Sequence, residues 1–133
     1  MTDEMMRELL EQSHTVAVVG LSPKPDRASY QVAQYLQNHG YRIVPVYPRE
    51  ETILGERVYA RLEDIPFPVD VVDVFRKAED TPPVAESAVR IGAKALWLQL
   101  GIANEVARSI AEAAGLAVVE DHCIKIEHQR LLG

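Results

Sequence analysis

The sequence predicts an α/β domain: an open parallel sheet of about five strands with helices on both faces. Three observations carry that expectation. Short apolar runs, rich in β-branched residues, recur along the chain. Segments with helical spacing lie between them. The links are short and punctuated by glycine or proline.

The elements follow in order. Residues 3–12 read as a helix with Met5, Met6, Leu9 and Leu10 on one side and Thr2 or Asp3 as its cap. Val16–Val19 is too short for a helix, so 15–20 is the first strand, ended by Gly20. Val32, Ala33 and Leu36 place a helix from Ala28 to His39, closed by Gly40. Arg42–Tyr47 is the second strand. Residues 50–68 are irregular, with a small extra pairing at Val58–Tyr59 and a turn of helix at Leu62–Ile65. Val69–Phe75 is the third strand. Pro82 and Pro83 suit the first turn of a helix running to Ile91. Ala95–Leu100 is the fourth strand, residues 103–114 the next helix, Leu116–Val119 the fifth strand, and Asp121–Leu132 a last short helix. The strands are nearly continuous apolar runs, as expected when both sheet faces are covered. Right-handed crossovers favour strand order 3-2-1-4-5, with the ligand crevice at the carboxyl ends near strand one.

Composition narrows the function. The chain has 133 residues, which suits one domain. Its net charge of −6, from 14 basic and 20 acidic residues, argues against general nucleic-acid binding. One cysteine permits no internal disulfide and fits a reducing compartment. The acidic N-terminus has no apolar signal core and no run reaches membrane-spanning length. The expected location is the cytoplasm.

The stretch from Thr15 to Tyr30 organises the chemistry. Strand, glycine turn and helix present backbone N–H groups to a phosphate. A dinucleotide fingerprint needs three glycines at set spacing; here only Gly20 is present, followed by Leu21, Ser22, Pro23, Lys24 and Pro25. The loop is longer, stiffer and more basic than an NAD loop. Ser22 and Ser29 can donate hydroxyl hydrogen bonds, and Arg27 can fork onto a phosphate. A plain βα connection with surface charges is the competing reading.

The second strand sharpens the test. NAD-binding sheets place an acid near its carboxyl end to hold a ribose diol. This chain has Tyr47-Pro48-Arg49 there, which points to a ligand bearing an extra phosphate, either NADP or coenzyme A. The competing reading pairs Arg49 with Glu50 or Glu51 at the surface. The third strand ends Asp73-Val74-Phe75-Arg76-Lys77. Consecutive strand ends therefore carry cations on an otherwise acidic chain, which suits a small polyanion. Asp73 is expected near the strand end, ordering Arg27 or Arg76, or on the surface. Gln99 and the Gly101 backbone could hydrogen-bond an amide-bearing chain, and Trp97 reads as core. In the tail, Asp121, His122, Cys123, Glu127 and His128 could ligate a metal, but no zinc spacing appears, so no metal site is expected. Cys123 reads as a packed small hydrophobe. No nucleophile elbow or Walker loop is present.

These residues together resemble a known family. The stretches at 18–30 (Val-Val-Gly-Leu-Ser-Pro-Lys-Pro-Asp-Arg-Ala-Ser-Tyr), 40–49, 69–76, 95–102 and 121–128 (Asp-His-Cys-Ile-Lys-Ile-Glu-His) are similar to the small stand-alone CoA-binding proteins. Those proteins are related to the N-terminal domain of the succinyl-CoA synthetase alpha subunit. The resemblance implies a Rossmann-like fold that binds coenzyme A at the strand carboxyl ends. Gly20–Pro23 match the loop contacting the CoA phosphates, Arg49 matches a lysine after the second strand, and Leu98, Gln99 and Leu100 match the contact segment after strand four. Tyr47 stands where asparagine is common in the family, and His122 where arginine is common. The synthetase's second domain, with its phosphorylated histidine, has no counterpart in these residues, so ligase activity is not implied.

The expected ligand is CoA or acyl-CoA, held without catalysis by a sensor or an accessory module, alone or with an unknown protein partner. No nucleic acid or membrane partner is expected. The alternatives are an NADP-dependent oxidoreductase and a structural or interaction domain whose ligand site is lost.

Overall fold

The computed structural model describes Met1–Gly133. Five α-helices and seven strands follow one another along the chain: α1 (Asp3–Gln12), β1 (Thr15–Val19), α2 (Ala28–Asn38), β2 (Arg42–Val46), β3 (Thr52–Ile53), β4 (Glu56–Arg57), β5 (Val71–Val74), α3 (Thr81–Arg90), β6 (Ala95–Leu98), α4 (Glu105–Ala113), β7 (Ala117–Val119) and α5 (Ile124–Leu131). Short 3-10 turns at Leu62–Asp64 and Ala78–Asp80 flank β5. Five strands form one all-parallel sheet, and β3 with β4 makes a small antiparallel hairpin. No helix is long and apolar enough to cross a membrane.

The α/β class and the five-strand parallel sheet are as the sequence predicts; the strand order is not. The observed order is β2-β1-β5-β6-β7, so the third main strand lies beside β1 rather than outside β2. Two local features dictate this. Asp70, just before β5, accepts the backbone N–H groups of His14 and Thr15 at 2.8 and 3.0 Å, pinning β5 to the start of β1. The outer edge of β2 is already used: Tyr59 donates to Pro45 O and accepts from Tyr47 N. The extra pairing read at Val58–Tyr59 is therefore what excludes the third strand from that edge. The Asp70 carboxyl is partly buried, which alone would raise its pKa. The two backbone donors and Lys94 outweigh that and hold it below the usual carboxylate value.

Alternation along the strands divides the core. Val16, Val18, Val71 and Trp97 face α1, α2 and α5, whereas Ala17, Val19, Val72 and Leu98 face α3 and α4. Helices α3 and α4 meet the sheet through Ala85, Ala88, Ala107 and Ala111, small residues that let the backbones come close. Each large apolar side chain sealed in these layers contributes about 1.5–3 kcal/mol. Trp97 is fully buried as expected, and its indole N–H donates to His122 O at 2.8 Å. Thr2 caps α1 by accepting the Met5 N–H. Met5, expected on the packed side of α1, is exposed; Met6 and Leu10 fill the core.

Candidate functional site

With β5 next to β1, the carboxyl ends of β2, β1 and β5 are contiguous. The order of the sheet reverses at β1 and β5, the place where open parallel sheets leave a crevice. Gly20 occupies it. Its φ is +84°, and a Cβ there would stand 2.3 Å from Phe75 O, so only glycine fits. Its N–H donates to Val46 O at 3.0 Å, and Phe75 N donates to Val19 O at 2.9 Å. The turn is thereby clamped between its two neighbours.

A cleft of about 360 Å³ opens above this clamp, lined by Gly20, Tyr47, Pro48, Arg49, Phe75 and Arg76. All six were singled out from the sequence. Tyr47 lines the cleft half-buried and does not fill it. The loop beyond Gly20 is held by its own serines: Ser29 Oγ accepts Ser22 N–H at 3.0 Å, and Ser22 Oγ accepts Lys24 N–H at 3.1 Å. Both hydroxyl protons remain available to an acceptor. Leu21 is fully buried and anchors the loop, while Pro23 is half-buried and Lys24 exposed. Helix α2 begins beside this loop with Arg27 at its N-cap position and no side-chain cap. No N-cap side chain satisfies its first-turn N–H groups, where the positive end of the helix dipole lies.

The cations are free. The ion pairs of the molecule use Arg90, Lys94, Arg108 and Arg130. Lys24, Arg27, Arg49, Arg76 and Lys77 take part in none, and all five are exposed. The pairing of Arg49 with Glu50 or Glu51, left open by the sequence, is not formed. Arg76 lies over the turn, with its Nε 3.6 Å from the Cβ position of Gly20.

One expectation needs correction, and two are narrowed. Asp73 orders no arginine and is not on the surface; it is fully buried between Val18 and Trp97, with neither carboxyl oxygen hydrogen-bonded. That burial holds its pKa well above the usual carboxylate value. Gln99 is buried too. Its Oε1 accepts Ile124 N–H at 3.1 Å and so caps α5, leaving only its Nε2 for a ligand. The Gly101 N–H is committed to Asp121 Oδ1 at 2.6 Å, leaving only the carbonyl.

Sequence reasoning missed an adjoining hollow. A second cavity of about 310 Å³ shares Arg76 with the cleft and lies on the α3 side of the sheet. Val19, Val46, Leu62 and Val84 give it an apolar floor, with Arg61 at its rim. Glu63 accepts from Ser87 Oγ at 2.9 Å and Arg90 Nη1 at 2.7 Å along one wall. Burial opposes ionisation of Glu63, but these donors and the backbone hold its pKa below the usual value.

The chain is similar to several known proteins. The uncharacterised protein YneT of Bacillus subtilis is 41% identical over 123 residues, covering 92% of this chain and 91% of its own. A hypothetical protein from Pyrococcus horikoshii superimposes with a TM-score of 0.97 at 43% identity, covering 100% of this chain and 94% of that one. A dinucleotide-forming acetyl-coenzyme A synthetase from Ca. Korarchaeum cryptofilum shares the fold at a TM-score of 0.75 and 23% identity. The match covers 87% of this chain and 28% of the synthetase. Residues 14–129 match the family described as CoA binding domain. That span takes in every strand end described above, and the chain belongs to the CoA-binding domain family.

Proposed function

We propose that this protein binds coenzyme A, free or acylated, at the carboxyl ends of β2, β1 and β5, without catalysis of its own, as a sensor or accessory module. The observation that carries the reading is a glycine-floored cleft lined by two unpaired cations, Arg49 and Arg76, with Lys24, Arg27 and Lys77 also unpaired in the segments that follow β1 and β5, on a chain of net charge −6. Unpaired guanidinium and ammonium groups at one rim of an acidic body favour a small polyanion. Family membership supports CoA as that polyanion.

In this reading the diphosphate lies over residues 20–29 and the start of α2. Arg49 takes the 3′-phosphate, with Arg76 and Lys24 adding charge. The adenine ring occupies the apolar hollow beside Arg76. The pantetheine arm passes Phe75 toward Gln99 Nε2 and the Gly101 carbonyl.

Titration calorimetry with CoA, 3′-dephospho-CoA, NADP and NAD tests the proposal. CoA is expected to bind, and removal of the 3′-phosphate to cost about 1–3 kcal/mol, the scale of a hydrogen bond to a charged group. Equal affinity for CoA and its dephospho form would remove Arg49 from its assigned role. NADP binding more tightly than CoA would transfer the reading to a nicotinamide-linked oxidoreductase.

A further inference from the structure

Away from the cleft, the last turn of α2 and the helix α5 bring two imidazoles together. His39 closes α2 and is exposed, whereas His128 lies on α5 and is buried. Tyr35 anchors both. Its carbonyl oxygen lies 2.7 Å from His39 Nδ1, and its hydroxyl lies 2.8 Å from His128 Nδ1. The His39 ring stacks on the Tyr35 ring with centroids 3.9 Å apart.

A carbonyl only accepts. His39 Nδ1 therefore carries the proton, and its Nε2 presents a lone pair. With His128 in the same tautomer, its Nδ1–H donates to the Tyr35 hydroxyl oxygen and its Nε2 is likewise a lone pair. Neither Nε2 has a hydrogen-bond partner. His128 Nε2 is not sealed either, since the unpartnered buried polar atoms are the two carboxyl oxygens of Asp73. The two ring centroids are 5.2 Å apart and the planes meet at 65°. Two imidazoles on one tetrahedral ion, with metal–nitrogen bonds of about 2.0–2.1 Å, have centroids roughly 5 Å apart. Metal-bound histidines characteristically have the other ring nitrogen held by a carbonyl or similar partner.

We propose that His39 and His128 are the two protein ligands of a site for a divalent late first-row metal ion, zinc in the first instance. No third His, Cys, Asp or Glu completes the group. Water fills the remaining positions, and the ion exchanges with solution. A bound ion joins the end of α2 to α5 across the Tyr35 side chain.

The test uses the full chain and zinc(II). Calorimetry is expected to give one equivalent bound. Imidazole nitrogen NMR is expected to show the Nε2 signals of both His39 and His128 shifting together, with a rise in Tm on binding. His39→Gln, at an exposed position, is expected to keep the fold, weaken zinc by at least about tenfold and abolish the Tm rise. Cys123→Ser is expected to bind zinc like the wild type. The proposal is overturned by movement of neither Nε2 signal or only one, by unchanged affinity in His39→Gln, or by loss of binding in Cys123→Ser alone.

Discussion

Replacing Asp73 by valine is expected to stabilise the protein. The side chain sits in the middle of the sheet, with 0% of its surface exposed and no partner for either oxygen. Burial holds its pKa well above the usual carboxylate value and so favours the protonated form in the folded protein. Even neutral, a sealed carboxyl without hydrogen bonds costs about 1–3 kcal/mol. Valine branches at Cβ as strands prefer and brings no polar atom. The expected gain below about pH 3.8, where the carboxyl is neutral in both states, is about 1–3 kcal/mol, or roughly 3–5 °C in Tm for each kcal/mol in a chain of this size. The pH dependence has a definite sign. The unfolded chain releases this proton near pH 3.8, whereas the folded chain holds it to higher pH. The contribution of Asp73 to wild-type stability is therefore full below that value. It falls as pH rises, by at most about 1.4 kcal/mol per unit, until the folded group itself ionises. Valine has no such loss, so the advantage of the variant widens from acid toward neutral pH. Other carboxyls titrate alike in both proteins and cancel in the difference. Urea unfolding followed by circular dichroism at several pH values measures it. A less stable variant, or a gap that does not change with pH, would refute the reasoning and mean that the carboxyl has a partner.

Three further perturbations address the cleft and its supports. Gly20→Ala places a side chain at φ +84° and 2.3 Å from Phe75 O. A loss of more than about 2 kcal/mol is expected from the left-handed backbone and the forced shift of β5, and a wild-type Tm would refute this. Arg49→Gln is expected to weaken CoA by about tenfold to a hundredfold and 3′-dephospho-CoA much less; an equal loss for both ligands would place the 3′-phosphate elsewhere. Gln99→Leu removes the acceptor that caps Ile124 N and is expected to cost about 0.5–2 kcal/mol in thermal unfolding, mostly through α5. No change would mean that the α5 terminus is satisfied by water.

The lining of the candidate cleft was legible because its signals are local. Gly20 after a β-branched run marks a turn, and the strand ends with Arg49, Arg76 and Lys77 follow from the same reading. Tyr47, Pro48 and Phe75 were reached the same way, and all line the cleft. What those residues touch was not legible. Whether Gln99 Oε1 is free depends on a backbone N–H of Ile124 that is 25 residues away. Whether Gly101 can donate depends on Asp121, 20 residues away. The hollow around Glu63, Ser87 and Arg90 joins a 3-10 turn to α3, and no periodicity announces it.

By itself, the sequence determined the kind and succession of elements: apolar period, β-branching, caps and glycine stops act within a few residues, and they gave a parallel α/β sheet with cations at its strand ends. Tertiary structure alone decided the lateral order of the strands. The Asp70 carboxylate and the Tyr59 backbone choose β5's neighbour by hydrogen bonds across long loops. The same choice sealed Asp73 between Val18 and Trp97 and brought Arg49, Gly20 and Arg76 to one cleft, because neighbours in a sheet stand only about 4.8 Å apart. Side-chain type is written in the chain; which side chains meet is settled by pairings between distant segments.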